Sequence, residues 1–158
     1  MHMTLEEIFE HGQQAAQVLF AAQGEVHPMW LAQTTTGEIL PIIAPMHERE
    51  DKDSLVDGIR AIFKQKDVIR YVSLLEAWML EMKNQPLPDS VRLGAPISQH
   101  PERREIIAIA AEDKTDMLTG MFYILRPEHG KAQLSPFKRM EKSTRHEGRF
   151  VGLLGDRP

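Results

Sequence analysis

The residues best suited to chemistry in this sequence are two glutamates and a histidine. Glu76 stands near the middle of the longest apolar run, Asp67 to Glu81, and His100 and Glu105 bound the polar segment HPERRE. A histidine beside a carboxylate supplies both a metal ligand and a proton acceptor. If the chain brings Glu76 to this pair, the three residues could bind a divalent metal or perform acid–base catalysis, as in a small metal-dependent or acid–base hydrolase.

The same region has a structural interpretation, which the sequence favours. Glu76 would then lie at the solvent-exposed end of its strand or pair with an arginine such as Arg103. Burying an unpaired carboxylate costs free energy. Arg103 and Arg104 are candidate binding residues for a carboxylate or phosphate group. Trp78 joins them as a candidate because it shares a face with Glu76 if this run is extended.

Motifs with an established mechanism do not occur in the sequence. No HExxH is found, no two histidines lie four residues apart, and no glycine-rich phosphate-binding motif is found. No serine stands in a nucleophile-elbow context. The chain has no cysteine, which excludes disulfides, thiolate metal sites and cysteine nucleophiles. The sequence therefore predicts no metal and no cofactor, and it favours a non-enzymatic role over an enzyme.

Two short segments carry a resemblance. The triplet EAW at Glu76 to Trp78, followed by a proline-bearing loop and by HPERREII at His100 to Ile107, resembles small uncharacterised proteins of bacteria and their phages. The resemblance covers about Tyr71 to Ile109. It implies a prokaryotic, cytoplasmic accessory protein and assigns no catalytic residue.

The apolar run around Glu76 is compatible with a strand and with a helix. Its first half is β-branched and aromatic, which is typical of a strand, whereas Leu74 to Met82 contains residues that favour a helix. We predict a strand from about Val68 to Leu80. A helix is predicted before it and two strands after it, so an antiparallel sheet needs this segment in its middle.

Two helices and two hairpins are predicted around this strand. Thr4-Leu5-Glu6-Glu7 is a capping box that begins an amphipathic helix from about Leu5 to Ala22. A second helix is predicted from Ser54 to Lys66. Apolar runs separated by turn signals predict one hairpin at Met29 to Ala44 and another at Glu105 to Arg126.

The element order α-β-β-α-β-β-β, with a further short strand at Ala132 to Phe137, predicts an α+β fold. We expect an antiparallel sheet of about five strands with both helices on one face. The order is similar to the profilin or roadblock type of layer, a likeness of topology that implies no function. Pro41 cannot donate a ladder hydrogen bond, so its strand is predicted to be an edge strand or to carry a bulge. The stretch from Lys83 to Arg104 contains four prolines and is predicted to be a long loop.

The 158 residues correspond to one domain. We predict that this domain covers residues 1–137 and that residues 138–158 form a basic, partly disordered tail. The tail offers nucleic-acid binding as an alternative function. The net charge of −4 and the scarcity of aromatic residues in the tail disfavour nucleic acid as a partner.

A binding or assembly module is the function that these features favour. A sheet covered by helices on one face leaves its other face and its edges to be hidden, and a second copy of the chain or another protein can hide them. A homodimer is therefore predicted. No apolar run approaches the roughly 18 residues of a membrane span, so no membrane partner is expected. The cysteine-free composition is compatible with the cytoplasm.

Overall fold

Two helices and seven strands make up the described part of the chain. The computed structural model describes residues 2–43, 51–80, 101–140 and 153–154. The helices are α1 (Leu5–Gln23) and α2 (Asp51–Gln65), and the strands are β1 (Met29–Thr34), β2 (Ile39–Ile43), β3 (Val68–Met79), β4 (Arg104–Glu112), β5 (Met117–Leu125), β6 (Gln133–Leu134) and β7 (Lys138–Arg139).

One antiparallel sheet contains all of these strands. They run in the order β2-β1-β3-β4-β5-β6, and β7 pairs with β5 as well. The predicted α+β class is confirmed, with seven strands rather than about five. The predicted strand around Glu76 is also confirmed: β3 is extended over 12 residues and lies between β1 and β4.

The two helices pack on opposite faces of the sheet, so the prediction that both lie on one face is wrong. Ile8, Phe9 and Phe20 of α1 share a core with Val72 and Leu74 of β3. A second core joins Val56, Ile59 and Phe63 of α2 to Tyr71 of β3 and to Trp30 and Ala32 of β1. Successive residues of a strand point to opposite faces, so the first core defines an α1 face and the second an α2 face.

The composition of the inner strands explains this arrangement. Trp30 and Tyr71 are fully buried on the α2 face, while their neighbours Leu31 and Val72 are buried on the α1 face. Strands that are buried on both faces read as nearly continuous apolar runs instead of alternating ones. β1 and the first half of β3 therefore need a cover on each side.

The predicted capping box begins α1 as expected. The Thr4 hydroxyl accepts from the Glu7 backbone N–H at 3.1 Å, and the Glu7 carboxylate accepts from the Thr4 N–H at 3.0 Å. Gly24 ends the helix in the left-handed conformation, with φ of 74°. Helix α2 begins at Asp51, three residues before the predicted start at Ser54, so Ser54 is an internal helix residue.

A buried hydrogen bond joins β3 to β4 on the α2 face. The Tyr71 hydroxyl donates to the carboxylate of Glu112, which stands directly opposite Tyr71 on β4. Both residues are almost completely buried. The backbone N–H of Leu153 donates to the same hydroxyl at 3.5 Å, and the Leu153 side chain is buried in this core. Leu153 is thus attached to the middle of the sheet.

Candidate functional site

The described residues among those that the sequence singled out lie at one end of the sheet. Trp78 of β3 stands opposite Glu105 of β4, and Glu76 stands opposite Ile107. Directly opposite residues on paired strands share a face. Ile107 is buried in the core of the α1 face, so Glu76, Trp78 and Glu105 all lie on that face. We call this group, together with Arg103 and Arg126, the charged end of the sheet.

Glu76 is exposed and accepts a hydrogen bond from the main chain. Its Oε1 atom accepts from the backbone N–H of Val26 at 2.9 Å. Val26 follows the end of α1, and its side chain is buried in the core of the α1 face. Glu76 therefore holds the segment between α1 and β1 against β3, which is a structural role.

Glu105 forms a two-point ion pair with Arg126. The Arg126 Nε atom donates to Oε1 at 2.6 Å, and Nη2 donates to Oε2 at 2.9 Å. This hydrogen bonding lowers the pKa of the Glu105 carboxyl below its ordinary value; partial burial opposes the shift, and the charges of Arg126 and Arg103 add to it. An ionised carboxylate with both oxygens occupied is poorly prepared to act as a general acid or base.

The candidate arginines face opposite sides of the sheet. The Arg103 guanidinium lies 4.7 Å from the centre of the Trp78 ring, on the α1 face. The Arg104 guanidinium lies 3.8 Å from the centre of the Tyr123 ring, on the α2 face. These contacts are cation–π interactions. The structure does not bring Arg103 and Arg104 together on one anion.

His100 lies outside the described residues, so the Glu76, His100 and Glu105 constellation is described only in part. Its two glutamates lie on adjacent strands, and both raise the pKa of Arg126. Glu105 acts through its hydrogen bond and its charge, and Glu76 acts through its charge alone. In the described ranges, no three histidine, aspartate or glutamate side chains come together as a metal-binding group.

A second feature of the α1 face is an apolar groove between α1 and β1. The cavity has a volume of about 450 Å³. We call it the α1 groove; it is lined by His11, Gln14, Ala15, Val18, Leu19, Met29 and Leu31. Its floor is formed by β1, and its wall by the second half of α1.

The α1 groove adjoins the most exposed large apolar side chains of the described residues. Val18 on its rim is 67% exposed. Ile43 of β2 is 61% exposed and stands directly opposite Met29, on the face that carries the groove. Scattered exposed apolar residues are ordinary, whereas a contiguous apolar surface marks an interaction site.

This surface also lacks charge. From Gly12 to Gln23 the sequence contains no Asp, Glu, Lys or Arg, although such residues make up 27% of the chain. The segments that form β1 and β2, MWLAQT and ILPII, contain none either. Depletion of charged residues is the compositional signature of the centre of a protein–protein interface.

The edge strand next to the groove is poorly suited to strand addition. β2 lies at one end of the described sheet, which confirms the prediction made from Pro41. The Thr34 N–H donates to the Glu38 carbonyl at 2.9 Å, so hydrogen-bonded pairs alternate from that point and the Pro41–Leu31 pair is not one of them. Pro41 therefore occupies a position whose donor would point to the open edge, and that donor is missing.

Comparison with known proteins adds no relative: no family model, no curated protein and no solved structure matches the chain.

The part of the chain described by the structure contains no helix with the length and apolar character needed to cross a membrane.

Sequence reasoning directed at reactive residues missed Val18, Met29 and Ile43. The signal that could have indicated them is the uncharged stretch from Gly12 to Gln23, which is long enough for three turns of helix and must have a solvent-facing side. A surface helix normally carries charged residues on that side.

Proposed function

We propose that this protein is a non-enzymatic assembly module that forms a homodimer through the α1 groove and the adjoining surface of β2. The observation that carries the proposal is the uncharged apolar surface that contains Val18 and Ile43, each more than 60% exposed. Burying such side chains against a partner removes apolar area from water, which is the main driving force of association.

A second copy of the chain fits this surface better than a partner of different sequence. In a twofold dimer the same patch meets itself, so any charge near its centre would face a like charge. The uncharged stretch of α1 and the uncharged segments of β1 and β2 satisfy that requirement. The exposed Val18 side chain projects beside the α1 groove. In a dimer, Val18 of each copy can therefore enter the groove of the other copy.

The proposed contact is between faces and not between edges. Because Pro41 leaves the middle of β2 without an outward donor, two β2 strands placed side by side would lack hydrogen bonds at their centre. Packing of α1 and the neighbouring side chains of β2 requires no donor from Pro41.

The experiment is sedimentation of the wild type and of two variants over a range of concentrations. Val18→Glu and Ile43→Glu each place a like charge on the proposed twofold surface. We expect the dimer dissociation constant to rise by about tenfold or more in each variant. Leu125→Glu is the matched control, because Leu125 is an exposed apolar residue of β5 away from the groove; this variant should remain dimeric.

The wild-type mass decides the outcome. A chain that stays monomeric at high concentration would contradict the proposal, as would equal weakening by Val18→Glu and Leu125→Glu. Because Val18 and Ile43 are exposed, neither variant should alter thermal unfolding of the monomer, which separates loss of assembly from loss of folding.

The resemblance of the segment from about Tyr71 to Ile109 supports placing such a module among the cytoplasmic accessory proteins of bacteria or phages. The hydrolase alternative, with Glu76, His100 and Glu105, draws no support from the pairing of Glu105 with Arg126. The nucleic-acid alternative rests on the basic tail, in which Arg139 is paired with Glu6.

A further inference from the structure

A separate cavity lies on the α2 face, at the end of the sheet opposite the charged end. It has a volume of about 500 Å³, within the range of small-molecule sites. We call it the α2 cavity. Its apolar lining includes Phe63, Val68 and Leu153, all of them buried in the core of this face.

Three cations surround this apolar lining. Arg60 and Lys64 are four residues apart on α2 and so lie on one side of the helix, and Lys114 reaches the cavity from the turn between β4 and β5. Asp67 is the one acidic residue among the described lining residues. Within the described part of the chain, none of the three cations forms an ion pair or a side-chain hydrogen bond.

Helix stabilisation accounts for only one of these cations. Lys64 lies in the last turn of α2, where a positive charge interacts favourably with the helix dipole. Arg60 lies a turn earlier, and Lys114 belongs to a different element. Like charges gathered around one apolar cavity repel each other, and an anion bound among them would remove that repulsion.

The backbone at the cavity connects the end of α2 to the turn between β1 and β2. Asp67, with φ of 53°, is the one non-glycine residue with positive φ among those described. Its carbonyl accepts from the Thr35 N–H at 3.1 Å, and Thr35 is another cavity residue. A left-handed residue commonly ends a helix, so Asp67 ends α2 and holds Thr35 at the cavity.

We propose that the α2 cavity binds a small organic anion, with a carboxylate, sulfonate or phosphate group held by Arg60, Lys64 and Lys114 and an apolar body held against Phe63, Val68 and Leu153. The arginine and lysine side chains supply charge-assisted hydrogen bonds, and the apolar lining removes the ligand body from water. This site is independent of the α1 groove, which lies on the other face of the sheet.

The test compares two fluorescent probes of similar shape. 1-Anilinonaphthalene-8-sulfonate carries one negative charge, and N-phenyl-1-naphthylamine is its neutral analogue. We expect the Arg60→Gln/Lys64→Gln double variant to bind the sulfonate about tenfold more weakly and the neutral probe with little change. Lys66→Gln is the matched control, because Lys66 follows α2 but does not line the cavity; it should bind both probes like the wild type.

Two further measurements test whether the sulfonate binds in the α2 cavity. Lys114→Gln removes the third cation without touching a helix and should weaken sulfonate binding even if the double variant folds poorly. Amide chemical-shift changes caused by the sulfonate should centre on Thr35, Asp67 and Ile69. Equal binding of the two probes, unchanged sulfonate binding in Lys114→Gln, or shifts centred on the α1 groove would each overturn the proposal.

Discussion

Charged side chains at the end of β3 and β4 hold segments of the protein together. Glu76 accepts from Val26 and so attaches the chain after α1 to the sheet, while Glu105 connects β4 to Arg126 beyond the end of β5. Arg103 covers the ring of Trp78. The polar groups of these residues are occupied by hydrogen bonds, an ion pair and a cation–π contact. Residues that suggested a reactive centre in the sequence therefore hold neighbouring segments of the fold together.

The pairing of Glu105 predicts a pH-dependent contribution to stability. The pKa of Glu105 is lowered in the folded protein from an ordinary value of 4.5, so its stabilisation is present above that value and is lost as the pH falls through the folded pKa. Arg126 is half exposed, and solvent therefore screens the pair. We expect Glu105→Gln to lower the free energy of unfolding by about 0.5–1 kcal/mol near neutral pH.

Urea unfolding at several pH values measures this effect. The difference between wild type and Glu105→Gln should disappear in strong acid and should shrink with added salt. Glu128→Gln, a change at an exposed glutamate outside this ion pair, serves as the comparison. A difference for Glu105→Gln that stays constant from acid to neutral pH would show that charge is not its cause.

The glycines of the two helices have different surroundings: Gly12 of α1 is buried against the sheet, and Gly58 of α2 is exposed. A Cβ atom added at Gly12 of α1 would lie 2.5 Å from Cγ2 of Val72 and 3.1 Å from its Cγ1, whereas one added at Gly58 of α2 would meet nothing within 4 Å. Gly12 thus allows α1 to lie directly on β3. Gly58 has no such role and only weakens its helix.

Alanine substitutions at these two glycines should therefore have opposite effects. Gly58→Ala should raise the free energy of unfolding by about 0.5–1 kcal/mol, the usual helix preference for alanine. Gly12→Ala should lower it by about 1 kcal/mol or more, because overpacking costs about 1–3 kcal/mol and exceeds that gain. Chemical unfolding of the two variants gives both values.

Val72 provides a check on the cause. In a double-mutant cycle, Gly12→Ala should cost less in a Val72→Ala background, where the two γ-methyl groups that meet the new Cβ are gone. The same cost in both backgrounds, or stabilisation by Gly12→Ala equal to that by Gly58→Ala, would disprove the close approach.

The described sheet has two edges, and each is protected by a different feature. β5 is paired along its outer side with the short strands β6 and β7. On the other side, β2 carries Pro41 at the centre of its five described residues. Unprotected edges invite uncontrolled strand pairing, so these features disfavour association through the edges of the sheet.

Restoring the missing donor should extend assembly beyond the proposed dimer. Pro41→Val adds an outward N–H in the middle of β2 and supplies a residue that favours strands. We expect light scattering to show a mean mass above that of two chains, increasing with concentration. Leu40→Val is the control, since the N–H of residue 40 faces β1 and no outward donor is gained. A Pro41→Val protein with the wild-type mass would show that this edge needs no protection.

Local features of the sequence were sufficient for most of the elements. The capping box at Thr4, the turn at Asp113 to Asp116 and the edge position of the strand with Pro41 are each specified by side chains within a few residues. The extended conformation of β3 was instead predicted from the order of the elements around it. Capping, turn formation and the loss of a backbone donor are short-range effects, so they can be recognised without knowing the rest of the fold.

The placement of the helices, the α1 groove and the α2 cavity became evident once the chain was folded. Hydrophobic spacing indicates that Tyr71 and Val72 are buried, but it does not indicate that α2 covers one and α1 the other. Likewise, Lys114 is brought to Arg60 and Lys64 by the pairing of β3, β4 and β5 and not by its position in the chain. Burial is a property that each residue carries in its chemistry, whereas the identity of its neighbour depends on contacts between distant segments.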